Sequence, residues 1–237
     1  MQVIPVIDVR GGVAVAASRG DRANYRTLES PLATSADPVA VAQGLRSLFP
    51  FQKLYVADLE GIEGRGADVA MQERLCEGWP GSEIWVDDGS NGSHTPPTGN
   101  RQLDPMIKSH VLGSESLKSL TDYEQARQLA GAAAPLSLDF CGDEFIGPPE
   151  LLTDAALWPR RVIVMTLARV GSGEGPDLAR LESIVARAGA REIYAAGGVR
   201  NGADLKALAG IGVAGALIAT ALHAGKITRA DLEAIAV

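Results

Sequence analysis

Eight short apolar, β-branched runs alternate along this chain with longer amphipathic stretches, and that alternation restricts the fold more than any other feature. The runs are VIPVID (3–8), KLYVAD (53–58), EIWVD (83–87), HVLG (110–113), LSLDF (136–140), RVIVMT (161–166), EIYAA (192–196) and GALIA (215–219). Helical periodicity starts between them at Asp37, Gly66, Thr121, Pro176 and Asn201, and TRADLEAIAV supplies a last helix. Acids follow several helix starts, as in Thr121-Asp122, and glycines at 189 and 210 mark helix ends. Strands that alternate with helices form a parallel sheet. Eight of them in 237 residues predict a single α/β domain over 1–237, a closed (β/α)8 TIM barrel. The third connection, 89–109, carries three prolines, so its helix is expected to be degraded to a loop.

The two halves echo each other. Strands one and five end on Asp8 and Asp139, and strands three and seven end on DDGS and AGGV. Strands four and eight end on GSES and ATAL, which predicts a two-fold half-barrel pseudo-symmetry. In such barrels the C-terminal ends of the strands form the working face. That face collects Asp8, Asp58, Asp87, Asp88, Asp139 and Thr166. An ionised carboxylate in a dry core is very costly unless paired. Asp8 and Asp139, on opposite strands, therefore read as rim acids suited to proton transfer, one held ionised and one protonated. The competing structural reading is that strand-end aspartates accept hydrogen bonds from loop amides.

Gly197-Gly198 and Ala219-Thr220 each follow a strand and lead into a helix. Small residues there let backbone amides approach an anion, which predicts one phosphate site after strands seven and eight. The opposite half is acidic. Asp58, Asp87 and Asp88, with Ser114 and Arg169, form a secondary pocket, and Glu60 adds charge. Such a half suits a cationic or hydroxyl-rich group, or a divalent metal with oxygen ligands. Because neighbouring strand residues alternate faces, one of Asp87 and Asp88 should point away from the pocket.

Arg10, Arg19, Arg26 and Arg169 lie in rim loops, either as anion clamps or as solvated surface. His94, His110 and His223 show no ligand spacing, and His223 is expected to cap the short helix after strand eight. No metal and no cofactor is therefore expected. No lysine ends a strand, so a Schiff-base mechanism lacks its usual nucleophile. The net charge of −7 and the absence of a basic tract argue against nucleic acid. Two cysteines, far apart, fit a reducing compartment, and no run approaches a membrane span. These features predict a soluble cytoplasmic protein.

VIPVIDVRGG and AAGGVRNGADLKALAGIGVAGALIATALHAGKIT resemble the histidine-biosynthesis barrels. These are the phosphoribosylformimino-aminoimidazole carboxamide ribotide isomerase and the cyclase subunit of imidazole glycerol phosphate synthase. The resemblance spans essentially the whole chain. It implies acid–base roles for Asp8 and Asp139, assistance from Thr166, and a phosphate loop at Gly197, Gly198, Ala219 and Thr220. Two departures stand against the family pattern. Where the family carries an Asp after strand six, this chain has Gly171. Where the family has a triple-glycine phosphate loop after strand three, this chain has Asp87-Asp88-Gly89. Two like charges about 5 Å apart at an effective dielectric near 20 repel by about 3 kcal/mol. A second phosphate at that corner is therefore disfavoured.

Three readings follow. The first is a diverged enzyme, an acid–base isomerase or lyase-like synthase on a small monophosphorylated substrate. Family analogy with relatives in methanogens and methylotrophs extends this to one-carbon cofactor synthesis. The second is the parent isomerase with its general acid relocated to Glu174 or Asp177. The third is a non-catalytic phosphate-binding or partner subunit, as the cyclase's docking to a glutaminase implies.

Overall fold

The computed structural model describes residues 1–89 and 108–236. Eight parallel strands build the framework: β1 (Gln2–Arg10), β2 (Lys53–Asp58), β3 (Glu83–Asp87), β4 (Lys108–His110 continued by Leu112–Gly113), β5 (Leu136–Cys141), β6 (Arg161–Thr166), β7 (Glu192–Ala196) and β8 (Gly215–Ile218). Each pairs in parallel with the next, and β8 returns to β1 with Gln2 opposite Gly215. β4 is the seam. Its first three residues ladder with β3 and its last two with β5. At the change-over the Val111 amide donates to Val86 and the Leu112 amide to Pro135. The sheet is thereby joined into the expected (β/α)8 barrel. Of the 89–109 stretch expected to be a loop, residues 90–107 lie outside the described residues, as does His94.

Two layers of core follow from the period-two alternation of the strands. Ile4, Tyr55, Trp85, Ile163, Tyr194 and Leu217 point inward and fill the barrel. Their neighbours, among them Leu54, Ile84, Leu138, Val162 and Ile193, pack outward beneath the helices. The floor is closed by the opening residues of four strands. Glu83 pairs with Lys53 at 3.3 Å and with Arg161 at 2.7 Å, and Arg161 reaches Glu192. Both cations lie over the Trp85 ring, so the ion pairs sit on an apolar plug.

Side-chain caps start the long helices, and their positions correct two sequence-based boundaries. Asp37 caps Pro38–Leu48 and Asn201 caps Gly202–Gly210, as the pattern predicts. The helix expected from Gly66 starts at Val69, where Asp68 accepts from the Met71 amide. The helix expected from Thr121 starts at Leu120, because Ser119 is the residue that accepts from Asp122. The C-terminal helix Arg229–Ile235 opens on a reciprocal box, in which Thr228 and Asp231 each satisfy the other's amide. Thr228→Ala is expected to lower unfolding free energy by about 0.5–2 kcal/mol in urea titration, since it orphans one of those donors.

The half-barrel echo has a structural counterpart. β1 turns at Gly11-Gly12 into an antiparallel arm, Val13–Ala16, that places Val15 opposite Asp8. β5 turns at Gly142-Asp143 into an arm, Glu144–Ile146, that places Ile146 opposite Asp139. Each acid thus sits on a strand edge clasped by its own hairpin. The first arm pairs in turn with Arg26–Thr27, and this excursion carries Arg22 and Tyr25 over the barrel mouth.

Candidate active site

Register decides which strand-end residues face the mouth. Residues opposite one another in a parallel ladder point to the same face. Asp8 is opposite Ala57, which is opposite Asp87. Asp139 is opposite Met165, which is opposite Ala196, which is opposite Leu217. All of these line one cavity of about 330 Å³ at the C-terminal ends of the strands. Asp8, Asp87 and Asp139 therefore share a single pocket.

The next residue on each strand points the other way. Asp58 is fully buried on the helix side, where it accepts from the Gly61 and Asp68 amides and from Gln72. Asp88 lies beside it, against Gln72 and His110. Neither lines the cavity, so the acidic secondary pocket reduces to Asp87. Thr166 is in register with Phe140 and shares its outward face. Its hydroxyl faces Arg180, whose guanidinium stacks 4.2 Å from the Phe140 ring. Thr166 is thus placed behind the wall, one residue out of phase with the cavity. Ser114 is buried and bridges Asp139 to the Ile146 carbonyl. Arg169 donates to the Gly175 carbonyl and braces the loop after β6.

The remaining rim arginines have structural partners or face solvent. Arg10 donates to the Arg22 carbonyl and pairs with Glu63. Arg19 pairs with Glu174 on the surface, and Arg26 is exposed. His223 is buried at the end of its helix, and its Nδ1 lies 2.9 Å from the Ser30 hydroxyl instead of capping the helix. Burial pushes its pKa down to about 4.

The three cavity aspartates are pushed far above the ordinary carboxylate range. Burial raises Asp8 to about 7, opposed in part by the Arg22 charge. Burial, then the Glu115 charge, raises Asp139 to about 7, against donors from Ser137 and the Glu115 amide. Burial, then the charges of Asp139 and Glu115, raises Asp87 to about 8, against the Tyr55 hydroxyl and the Gly89 amide. Arg22 is the cation of this half, and it is held at 2.5 Å by Glu115. Sequence reasoning passed over Arg22, Glu115 and Tyr55, because each reaches the pocket through a loop excursion or an inward phase that leaves no spacing signal.

The opposite half carries backbone donors. Among the described residues, none of the amides of Gly198, Val199, Thr220 and Ala221 donates to another residue, and all four residues line the cavity. Lys226 and Arg200 stand on the same side. Gly198 has φ +88°, and a Cβ there would meet the Gly175 carbonyl oxygen at 2.2 Å, so only glycine fits. Gly171 is constrained in the same way. A Cβ there would lie 2.4 Å from the Ala17 carbonyl oxygen, so the hairpin occupies the space that a side chain at this position would need. Of the two acids considered as replacements for the missing carboxylate, Glu174 pairs with Arg19 and Asp177 caps helix Leu178–Ala188.

A family model described as histidine biosynthesis protein matches residues 150–228, the stretch that carries β6, β7, β8 and the backbone donors. An uncharacterized protein of Methanocaldococcus jannaschii is 25% identical over 99% of this chain and 97% of its own length. The 1-(5-phosphoribosyl)-5-((5-phosphoribosylamino)methylideneamino)imidazole-4-carboxamide isomerase of Rubrobacter xylanophilus is 29% identical over 99% and 96%. The isomerase of the same name from Lactiplantibacillus plantarum is 27% identical over 98% of each chain. Over nearly its whole length the chain is thus similar, at 27–29% identity, to isomerases of the histidine-biosynthesis barrel family. No described helix is long and apolar enough to cross a membrane.

Proposed function

We propose that this chain is a diverged histidine-biosynthesis barrel and an acid–base enzyme, an isomerase or lyase-like synthase, that acts on a small monophosphorylated substrate. The reading is carried by one observation: Asp8 and Asp139 face the same cavity as four amides that have no acceptor among the described residues. An acid and a base that both titrate near neutrality can donate and recover a proton at the same pH. Burial supplies that condition here for Asp8 and Asp139. The phosphate end would be held by the two turns Gly197-Gly198 and Ala219-Thr220, through the amides of Gly198, Val199, Thr220 and Ala221, with Lys226 adding charge. That anchor fixes the rest of the substrate between the two aspartates.

The name of the isomerase relatives carries two phosphoribosyl groups. In this chain the far end of the cavity holds Asp87 and Glu115, with Arg22 already paired to Glu115. Arg22 offsets the Glu115 charge, and a second phosphate dianion at about 5 Å from Asp87 would lose on the order of 3 kcal/mol per charge pair once Asp87 ionises, above about pH 8. That favours one phosphate over two. By family analogy the reading extends to a place in one-carbon cofactor synthesis.

Thermal unfolding with added ligands tests the proposal. Ribose 5-phosphate is expected to raise Tm, because a ligand that binds only the native state stabilises it. Lys226→Ala, at the cavity edge, should shrink that shift while leaving the ligand-free Tm unchanged. No shift with any phosphate ester would remove the anion site. Turnover of the parent bisphosphorylated ribotide would replace this reading with the parent isomerase.

A further inference from the structure

We propose that Asp87 and Asp139 hold one proton between them across Gly113, which makes Asp87 the positioning residue that sets the protonation state of Asp139. Its consequence for catalysis rests on the acid–base reading above. The proton sharing itself rests on the geometry of the seam strand. β4 runs between β3 and β5, so a side chain at its inward-facing end would stand between the acids of those two strands. At that place the chain has Gly113. A Cβ there would lie 3.4 Å from Asp87 Oδ2 and 3.6 Å from Asp139 Oδ2. Both carboxylates lean over the same spot, within about 7 Å of each other, where like charge and burial together oppose ionising both.

The surrounding groups decide which acid keeps the proton. Asp139 receives the Ser137 hydroxyl at 2.6 Å and the Glu115 amide at 3.0 Å, the single Ser114 proton going to the Ile146 carbonyl at 2.6 Å. The donors to Asp87 are longer, the Tyr55 hydroxyl at 2.9 Å and the Gly89 amide at 3.3 Å. Donors favour the charged form, so Asp139 is the ionised member and Asp87 carries the proton. Glu115 adds a further negative charge from the end of β4, and its pairing with Arg22 from the hairpin offsets part of it. Asp8 faces the pair from β1 across the cavity. In this arrangement Asp139 is a base whose readiness depends on Asp87 staying neutral.

The experiment is a carboxyl-carbon NMR titration of protein labelled at aspartate, from pH 4 to 10, for wild type, Asp139→Asn and Asp139→Ser. Asp139 ionises first, so its charge is what holds the proton on Asp87. Both variants are expected to lower the Asp87 midpoint by a pH unit or more. An Asp87 midpoint that is the same in wild type and both variants overturns the proposal. If either variant misfolds, as seen in its circular dichroism, the other reads the same midpoint. The two readings fail separately. Full activity in Asp139→Asn would end the acid–base reading without touching the titration. An unmoved midpoint would end proton sharing and leave the Asp8–Asp139 pair intact.

Discussion

Raising the pH from 6.5 to 8 is expected to destabilise the folded protein by on the order of 3 kcal/mol. Three aspartates are responsible. Asp8 and Asp139 are raised to about 7 and Asp87 to about 8, whereas in the unfolded chain each titrates near the ordinary aspartate value of 3.8. Between those limits the native state holds protons that the unfolded state has released. Stability therefore falls as pH rises, and the loss is complete only above the highest folded value. His223 acts in the opposite direction. Its folded value of about 4 lies below the ordinary 6.5, so it adds stability as pH rises from 4 to 6.5. Below pH 6.5 it cancels roughly one of the three aspartates, and above it the aspartates act alone. Urea titrations at pH 5, 6.5 and 8 resolve the two windows. Asp87→Asn should gain on wild type progressively from pH 4 upward, by several kcal/mol at pH 8. A wild-type stability that is flat between pH 6.5 and 8 would mean that these carboxyls are ionised in the native state.

The second large effect is on turnover. Asp8→Asn and Asp139→Asn are each expected to slow the reaction by about 10²- to 10⁴-fold, the usual contribution of a positioned acid or base. Incubation with phosphorylated metabolites from the protein's own cells, followed by phosphorus NMR, supplies a readout that does not presuppose the substrate. Wild type should convert one monoester resonance, and both variants should leave it in place. Both variants should keep the Tm rise caused by ribose 5-phosphate, because the anion donors belong to the loops after β7 and β8 and neither aspartate side chain is one of them. Loss of that rise along with turnover would point to a collapsed pocket instead of lost proton transfer. Conversion at the wild-type rate by either variant would leave that acid with only a structural role. Stability and activity pull apart at these positions, since the same burial that raises the acids makes them costly to keep charged.

Much of this was legible in the chain. The short apolar runs mark the strands, although β1 continues past Asp8 to Arg10 and β5 past Asp139 to Cys141. Asp8 and Asp139 could be singled out as acids that interrupt an apolar run, and the glycines at 197 and 198 for their freedom near an anion. The choice among Asp58, Asp87 and Asp88 was not legible, nor was the placement of Thr166. Along one strand these differ by a single residue, and a shift of one residue exchanges cavity for helix face. Arg22 and Glu115 escaped notice because the hairpin after β1 and the turn after β4 bring them in from outside the strand pattern, and Tyr55 because inside β2 it reads as an ordinary core residue.

The sequence by itself determined the order of strands and helices, the closure into a barrel and the two opposed acids, because local periodicity and turn chemistry act within a few residues. Tertiary structure alone decided that Asp87 joins the cavity, that Asp58, Asp88 and Thr166 leave it, and that Gly113 opens a gap between two carboxylates. Those outcomes depend on how neighbouring strands register and on what packs behind them. The relevant energies arise between residues remote in the chain, and no local pattern records them.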